Sequence, residues 1–173
     1  MKHIIVDNFF DNFNYIENSF KKMKMYYKKE YMAKFKTEEN WPGKRSHVLN
    51  IENAFLFTLF VKEFDIKFSN PFNGIPTNIK SHIHLRTKKD EIEDFIHRDI
   101  SSCNYTCLVF LSKTNLNSGT NIYSENKEVI TSVKFIQNRA ILFDSNYLHS
   151  AFGHYGNDVN DGRLTLNAFF KFQ

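Results

Sequence analysis

The sequence predicts a mainly β protein, a sandwich or barrel with α-helices from the first part of the chain packed on its outside. Three observations lead there. After Pro76 the chain falls into short runs rich in β-branched and aromatic residues, at the spacing of strands in a sandwich or barrel. Before Pro76, two segments carry apolar residues at helical steps. Aromatic residues make up 16% of the chain, with 19 Phe and 8 Tyr against 6 Gly and 3 Pro. That composition suits strands and excludes collagen-like, linker-like and disordered chains.

The elements follow in order. Phe13, Ile16, Phe20, Met23, Tyr27 and Tyr31 recur every three or four residues with lysines between them, which predicts one amphipathic helix over 13–35. Residues 41–46 (Trp-Pro-Gly-Lys-Arg-Ser) read as a turn-rich loop. Asn50 is placed to cap a second helix running through Ile51, Phe55, Leu59 and Phe64. Its other faces carry Leu56, Phe57, Phe60 and Val61, so it should be largely buried. Strands are expected over 78–87, 91–97, 105–112, 120–124, 128–136, 139–144, 147–153 and 163–172. No internal repeat of fixed period is visible, and 173 residues is the size of one domain.

Net charge is +4 and the isoelectric point about 8.9, less than a basic nucleic-acid-binding domain carries. The excess is local: residues 21–36 hold seven lysines against Glu30 alone. Its simplest meaning is the solvated face of a helix, the alternative being a docking surface for an acidic or nucleic-acid partner. No apolar run reaches the ~18 residues of a membrane span. The opening segment meets Asp7 after three apolar residues, too soon for a signal-peptide core, so the expected location is the cytoplasm. Cys103 and Cys107, four apart in a strand-like run, would lie ~13 Å apart at ~3.3 Å per residue, too far for a disulfide; buried thiols are expected.

The residues with chemistry to offer come in one order. His97 and Asp99 stand two apart at the end of a predicted strand, on one face, so that imidazole and carboxylate can converge on one ion. His149 supplies a third ligand. Two histidines and a carboxylate on a β scaffold make the facial triad of a non-haem Fe(II) oxygenase, with positions left open for other ligands. Arg163 follows at the head of the last predicted strand, with Thr165 on the same face. A planar guanidinium fork suits a bidentate carboxylate.

This order resembles the Fe(II)/2-oxoglutarate-dependent dioxygenases. Their double-stranded β-helix, a cupin-like jelly roll of eight strands, carries His-x-Asp after its second strand, a distal His on its seventh and Arg-x-Ser/Thr on its eighth. The chain is most similar to the prolyl-hydroxylase-like branch. Residues 105–112 (Tyr-Thr-Cys-Leu-Val-Phe-Leu-Ser) resemble that branch's third strand, 118–123 (Ser-Gly-Thr-Asn-Ile-Tyr) its fourth, 138–144 (Asn-Arg-Ala-Ile-Leu-Phe-Asp) its sixth, and 4–10 (Ile-Ile-Val-Asp-Asn-Phe-Phe) its N-terminal strand. Small oxygenases of bacteriophage and bacterial genomes share the layout. The AT-biased abundance of Lys, Asn, Phe and Ile suits such a source, and a phage-encoded chain would work in the host cytoplasm.

The resemblance implies one domain over 1–173, with an N-terminal strand and helices in 1–76 and the β-helix in 77–173. His97, Asp99 and His149 would hold Fe(II). Arg163, with Thr165, would grip the distal carboxylate of 2-oxoglutarate, and dioxygen would be the second cosubstrate. The activity implied is hydroxylation of an amino-acid or peptidyl, prolyl-like C–H bond. Where the branch places a tyrosine on the third strand, this chain has Phe110; Thr106 and Asn121 are the expected substitutes beside the cosubstrate. The loop after Asp99 is also shorter than in many relatives. Substrate contacts are expected from Trp41 and Arg45, from His82, His84 and Arg86, and from the loop 150–162. The alternatives are a non-catalytic jelly roll that keeps the triad, an oxygenase of nucleic acid or of a small metabolite, and a cupin isomerase or thiol dioxygenase. The last usually needs a further histidine. His82 and His84, on one face of the first predicted strand, invite a second metal site, but the family draws its ligands from other strands. Oligomeric state is not legible.

Overall fold

A computed structural model describes residues 3–37, 41–68, 74, 76–90, 94–99 and 102–172. Strand β1 (His3–Val6) opens the chain, followed by α1 (Phe13–Lys21), β2 (Tyr26–Tyr27), α2 (Lys28–Phe35), β3 (Lys44–Arg45), α3 (Leu49–Glu52) and α4 (Ala54–Phe68). The rest is strand: β4 (Asn78–Arg86), β5 (Tyr105–Phe110), β6 (Asn115–Tyr123), β7 (Val129–Phe135), β8 (Ala140–Asp144), β9 (Leu148–Phe152) and β10 (Arg163–Lys171).

Residues 13–35 do not form the single helix expected. A continuous helix would stack Lys21, Lys24 and Lys28 at mutually repulsive i,i+3 and i,i+4 positions. Instead Tyr26 and Tyr27 pair with Arg45 and Lys44. The Tyr27 N–H then donates to the Glu30 carboxylate at 2.9 Å, which starts α2. The break lets Tyr26 bury itself in a small aromatic cluster with Tyr31 and Trp41. The second helix is likewise divided. Asn53, rather than Asn50, is the cap: its side-chain oxygen accepts the Leu56 N–H at 3.0 Å at the head of α4. Nor is α4 buried on all sides, since Phe55 and Ile66 are exposed while Leu56, Phe60, Phe64 and Phe68 face inward.

Two antiparallel sheets make a double-stranded β-helix. The larger runs β1-β8-β5-β10-β4-β3-β2 and the smaller β7-β6-β9. Alternation along the larger sheet divides its faces. Ile83, Leu85, Val109, Leu142, Leu166 and Phe170 point outward into the main core with Ile16, Phe20, Leu56 and Phe60, and Phe170 stacks on Phe64 at 4.3 Å. Each such side chain, fully buried, contributes roughly 1.5–3 kcal/mol. The inner face is apolar only on β5 and β8, where Leu108, Phe110, Ile141 and Phe143 meet Ile122, Val133 and Phe135 of the smaller sheet. On β4 and β10 it is polar, and there the two sheets stand apart around a cavity.

Seven of the eight expected β-helix runs are strands. The remaining one, 91–97, lies partly outside the described residues; its described part is not a strand and joins the smaller sheet only through a bridge between His97 and His149. Strand β6 begins at Asn115, ahead of the expected 120. Both cysteines are free thiols, and burial pushes each to a higher pKa. No helix among the described residues is long and apolar enough to cross a membrane.

Candidate functional site

The cavity between the sheets has a volume of about 690 Å³, within the range of small-molecule sites. At one place on its wall the side chains of His97, Asp99 and His149 converge, with their ligand atoms all within 4.8 Å of one another. Backbone hydrogen bonds hold them there. The His97 and His149 main chains exchange bonds of 3.0 and 2.9 Å, and the Asp99 N–H donates to the Ser145 carbonyl at 3.0 Å.

Side-chain bonds then set the rings. His97 Nδ1 lies 2.9 Å from the Phe95 carbonyl and His149 Nδ1 lies 2.9 Å from the Tyr147 carbonyl. A carbonyl only accepts, so each Nδ1 carries the proton and each Nε2 keeps its lone pair. Those Nε2 atoms face Asp99, at 3.7 Å from Oδ1 for His97 and 3.4 Å from Oδ2 for His149. Burial pushes the His149 pKa down, against the pull of the Asp99 charge, and keeps the ring in the neutral form that a metal requires. Two oriented imidazole nitrogens and a carboxylate fit a divalent transition metal.

Arg163 lies elsewhere on the wall of the same cavity, 3% exposed. Its Nη2 donates to the Gly119 carbonyl at 3.1 Å and reaches Thr120 Oγ1 at 3.4 Å, whereas its Nε has no partner among the described residues. Phe110 stacks on Phe135 at 4.5 Å, and the guanidinium stands 5.9 and 5.3 Å from those two rings. Burial drives its pKa from 12.5 to about 10. A buried cation with an unused donor fits the carboxylate of a small-molecule ligand. Gly119 has no room for a side chain, since a Cβ there would lie 2.1 Å from the Val133 carbonyl oxygen.

The other expected residues divide. Thr165 lines the cavity, its hydroxyl donating to Asn167 at 2.7 Å. Thr106 is not among the residues that line the cavity: its hydroxyl donates to Asp99 Oδ2 at 2.5 Å. Asn121 is not in the cavity either. On β6 Ile122 pairs with the inward-facing His149, so Asn121 lies on the opposite face, with Tyr123 and Ser150. Thr120 takes the cavity-lining place.

Trp41, Arg45, His82, His84 and Arg86 all line the cavity. The Arg45 guanidinium lies 3.4 Å over the Trp41 ring. His84 Nε2 donates to the Pro42 carbonyl at 2.6 Å, and its burial beside Arg163, Arg86 and Arg45 pushes its pKa down to about 3. His82 is tied to the Ser46 carbonyl at 3.1 Å, so the two histidines serve separate backbone contacts. Arg86 is paired with Asp94 at 3.1 Å. Of the loop 150–162 only Ala151 lines the cavity; His154 reaches Asp94 at 3.4 Å and Tyr155 donates to the Lys113 carbonyl. Sequence reasoning missed Asp94, Ser145 and Asn167. The last had a signal, standing two residues beyond Thr165 on the same strand face.

Comparison with solved structures covers nearly the whole chain. A prolyl-4-hydroxylase of Pseudomonas putida aligns with 99% of this chain and 92% of its own, at TM-score 0.58 and 12% identity. A 2OG-Fe(II) oxygenase family member from Burkholderia pseudomallei aligns over 98% and 84%, at 0.60 and 8%. The fold is that of the 2OG-Fe(II) oxygenases. The same fold includes the epimerase SnoN, solved with Fe3+, alpha ketoglutarate and nogalamycin RO, which aligns over 98% and 78% at 0.63 and 11% identity. In sequence, a family of unknown function (DUF6445) matches residues 124–170, the stretch that carries His149 and Arg163. No curated protein matches.

Proposed function

We propose that this chain is a non-haem Fe(II)- and 2-oxoglutarate-dependent oxygenase that hydroxylates an amino-acid or peptidyl C–H bond. The observation that carries the proposal is the triad of His97, Asp99 and His149, with ligand atoms within 4.8 Å, on the wall of the cavity that also holds the buried Arg163. The peptidyl part rests on likeness in fold to prolyl hydroxylases.

His97, Asp99 and His149 would hold the iron, and Arg163 with Thr120 and Thr165 would bind the distal carboxylate of 2-oxoglutarate. Bound together, iron and cosubstrate would let dioxygen act as the oxidant, one oxygen atom passing to 2-oxoglutarate, which leaves as succinate and CO2, and the other to the substrate C–H bond, which becomes C–OH. The chain's own work is to orient. The Phe95 and Tyr147 carbonyls fix both imidazole tautomers, Phe110 and Phe135 keep water from the arginine, and Trp41 with Arg45 stands on the wall where a substrate would rest. The test is succinate release from purified protein with Fe(II), 2-oxoglutarate and dioxygen, over a panel of free amino acids and peptides. Metal-dependent succinate formation is expected, stimulated by a member of the panel. Its absence even as a slow uncoupled background, in protein shown to bind both iron and 2-oxoglutarate, would defeat the proposal.

A further inference from the structure

Asp99 is held from two sides by groups that belong to neither histidine. Its Oδ2 accepts the Thr106 hydroxyl at 2.5 Å, and the Thr106 oxygen lies 2.9 Å from Ser145 Oγ. An ionised carboxylate is acceptor-only, so the single proton of Thr106 points to Asp99, and Ser145 must donate its own to Thr106. Both residues are 1% exposed, which leaves no water to compete. The Ser145 carbonyl also accepts the Asp99 N–H at 3.0 Å. One residue, in the turn between β8 and β9, therefore grips Asp99 through its main chain directly and through its side chain by way of Thr106.

We propose that Thr106 and Ser145 are positioning residues that occupy Asp99 Oδ2 and leave Oδ1 as the oxygen offered to a metal; this rests on the iron-binding reading above. Oδ2 has one of its lone pairs taken by Thr106, which favours binding of a metal through Oδ1 alone over chelation by both oxygens. The remaining coordination positions then stay available to cosubstrate and dioxygen.

The experiment titrates Co(II) alone into the full chain and follows its absorbance, then records the infrared carboxylate bands of the loaded protein. Thr106→Val keeps the shape and removes the donor; Thr106→Ser restores it. In Thr106→Val the apparent Kd should rise about 10–100-fold, and the separation of the antisymmetric and symmetric carboxylate bands should narrow as both oxygens engage. Thr106→Ser should return both readouts to wild type, and Ser145→Ala should give a smaller rise in Kd. If Asp99→Ala abolishes Co(II) binding while Thr106→Val binds and absorbs like wild type, the inference is overturned and the metal site stands. A Thr106→Val chain with a lower melting temperature but wild-type Co(II) affinity and bands overturns it too. Should Thr106→Val fail to fold, wild-type affinity in Ser145→Ala decides against the relay. If Asp99→Ala itself binds Co(II) as wild type does, the iron reading is what has failed.

Discussion

Replacing Arg163 by methionine would remove a cation that the fold holds at a disadvantage. The difference between its pKa of about 10 and the ordinary 12.5 corresponds to a burial cost on the order of 3 kcal/mol, at 1.36 kcal/mol per pH unit. The sign follows from the depressed pKa of a base: the charged form is the disfavoured one in the folded chain. The cost is present at neutral pH and fades as pH rises from about 10 toward 12.5. A bound carboxylate would relieve it. Arg163→Met should therefore leave the protein without ligand as stable as wild type or more so, by up to about 3 kcal/mol less the packing lost around Phe110 and Phe135. Loss of the charge-assisted bonds should weaken 2-oxoglutarate binding by about 1.5–3 kcal/mol, on the order of 10–150-fold. Arg163→Lys, a point charge without the fork, should fall between. The assays are urea denaturation without ligand and anaerobic calorimetry of 2-oxoglutarate with Mn(II) in place of iron. A methionine variant that loses several kcal/mol of stability yet binds 2-oxoglutarate as tightly as wild type would show that Arg163 is scaffold.

Three further outcomes are expected. His97→Ala, Asp99→Ala and His149→Ala should each remove most of the affinity for a divalent transition metal in a titration, because two remaining ligands hold a labile ion weakly. His84 is neutral in the fold, with its pKa pushed down to about 3, so stability it contributes is complete above its unfolded value near 6.5 and is lost as pH falls toward 3; between pH 6.5 and 5.0 urea melts should show a loss of about 2 kcal/mol, which His84→Gln should abolish. Trp41→Ala removes the indole beneath Arg45 and should keep slow uncoupled 2-oxoglutarate turnover while losing its stimulation by substrate; equal loss of both rates would mark the aromatic cluster as structural support.

How much of this could be read from residues alone depended on whether the deciding contact was local. The alternation of apolar and polar residues along 78–87 and 163–172 is a property of each strand, and both strands formed where expected. The helix expected over 13–35 failed because its interruption depends on Tyr26 meeting Arg45, a pairing the periodicity of the aromatic residues does not contain. The cap at Asn53 rather than Asn50 was a choice between two similar residues, settled by where α4 must lie to bury Phe60 and Phe64. At the site, the order of His97, Asp99, His149 and Arg163 was legible, and the cavity brings all four to its wall. Thr106 and Asn121 needed cross-strand information. Thr106 is on the inner face, but four residues before Phe110, ~13 Å along the strand at ~3.3 Å per residue, which puts it beside Asp99 rather than Arg163. Asn121 depended on the parity of β6 against β9, fixed only by the pairing of Ile122 with His149.

The reciprocal main-chain bonds between His97 and His149 make this corner of the molecule a seam as well as a site. Four strands, β5 to β8, lie between Asp99 and His149, so His97 and His149 can pair only when the chain between them has folded and returned. An ion shared by the three side chains would act as a clasp on that long loop, restraining it in the folded state at an entropic cost that grows only slowly with loop length. At a free concentration one hundred times its Kd it would add about 2.7 kcal/mol to stability. The amide protons of His97, Asp99 and His149 should therefore exchange more slowly on metal binding than those of the helices on the far side of the larger sheet, so that loading of the site could be followed as the closing of a fold.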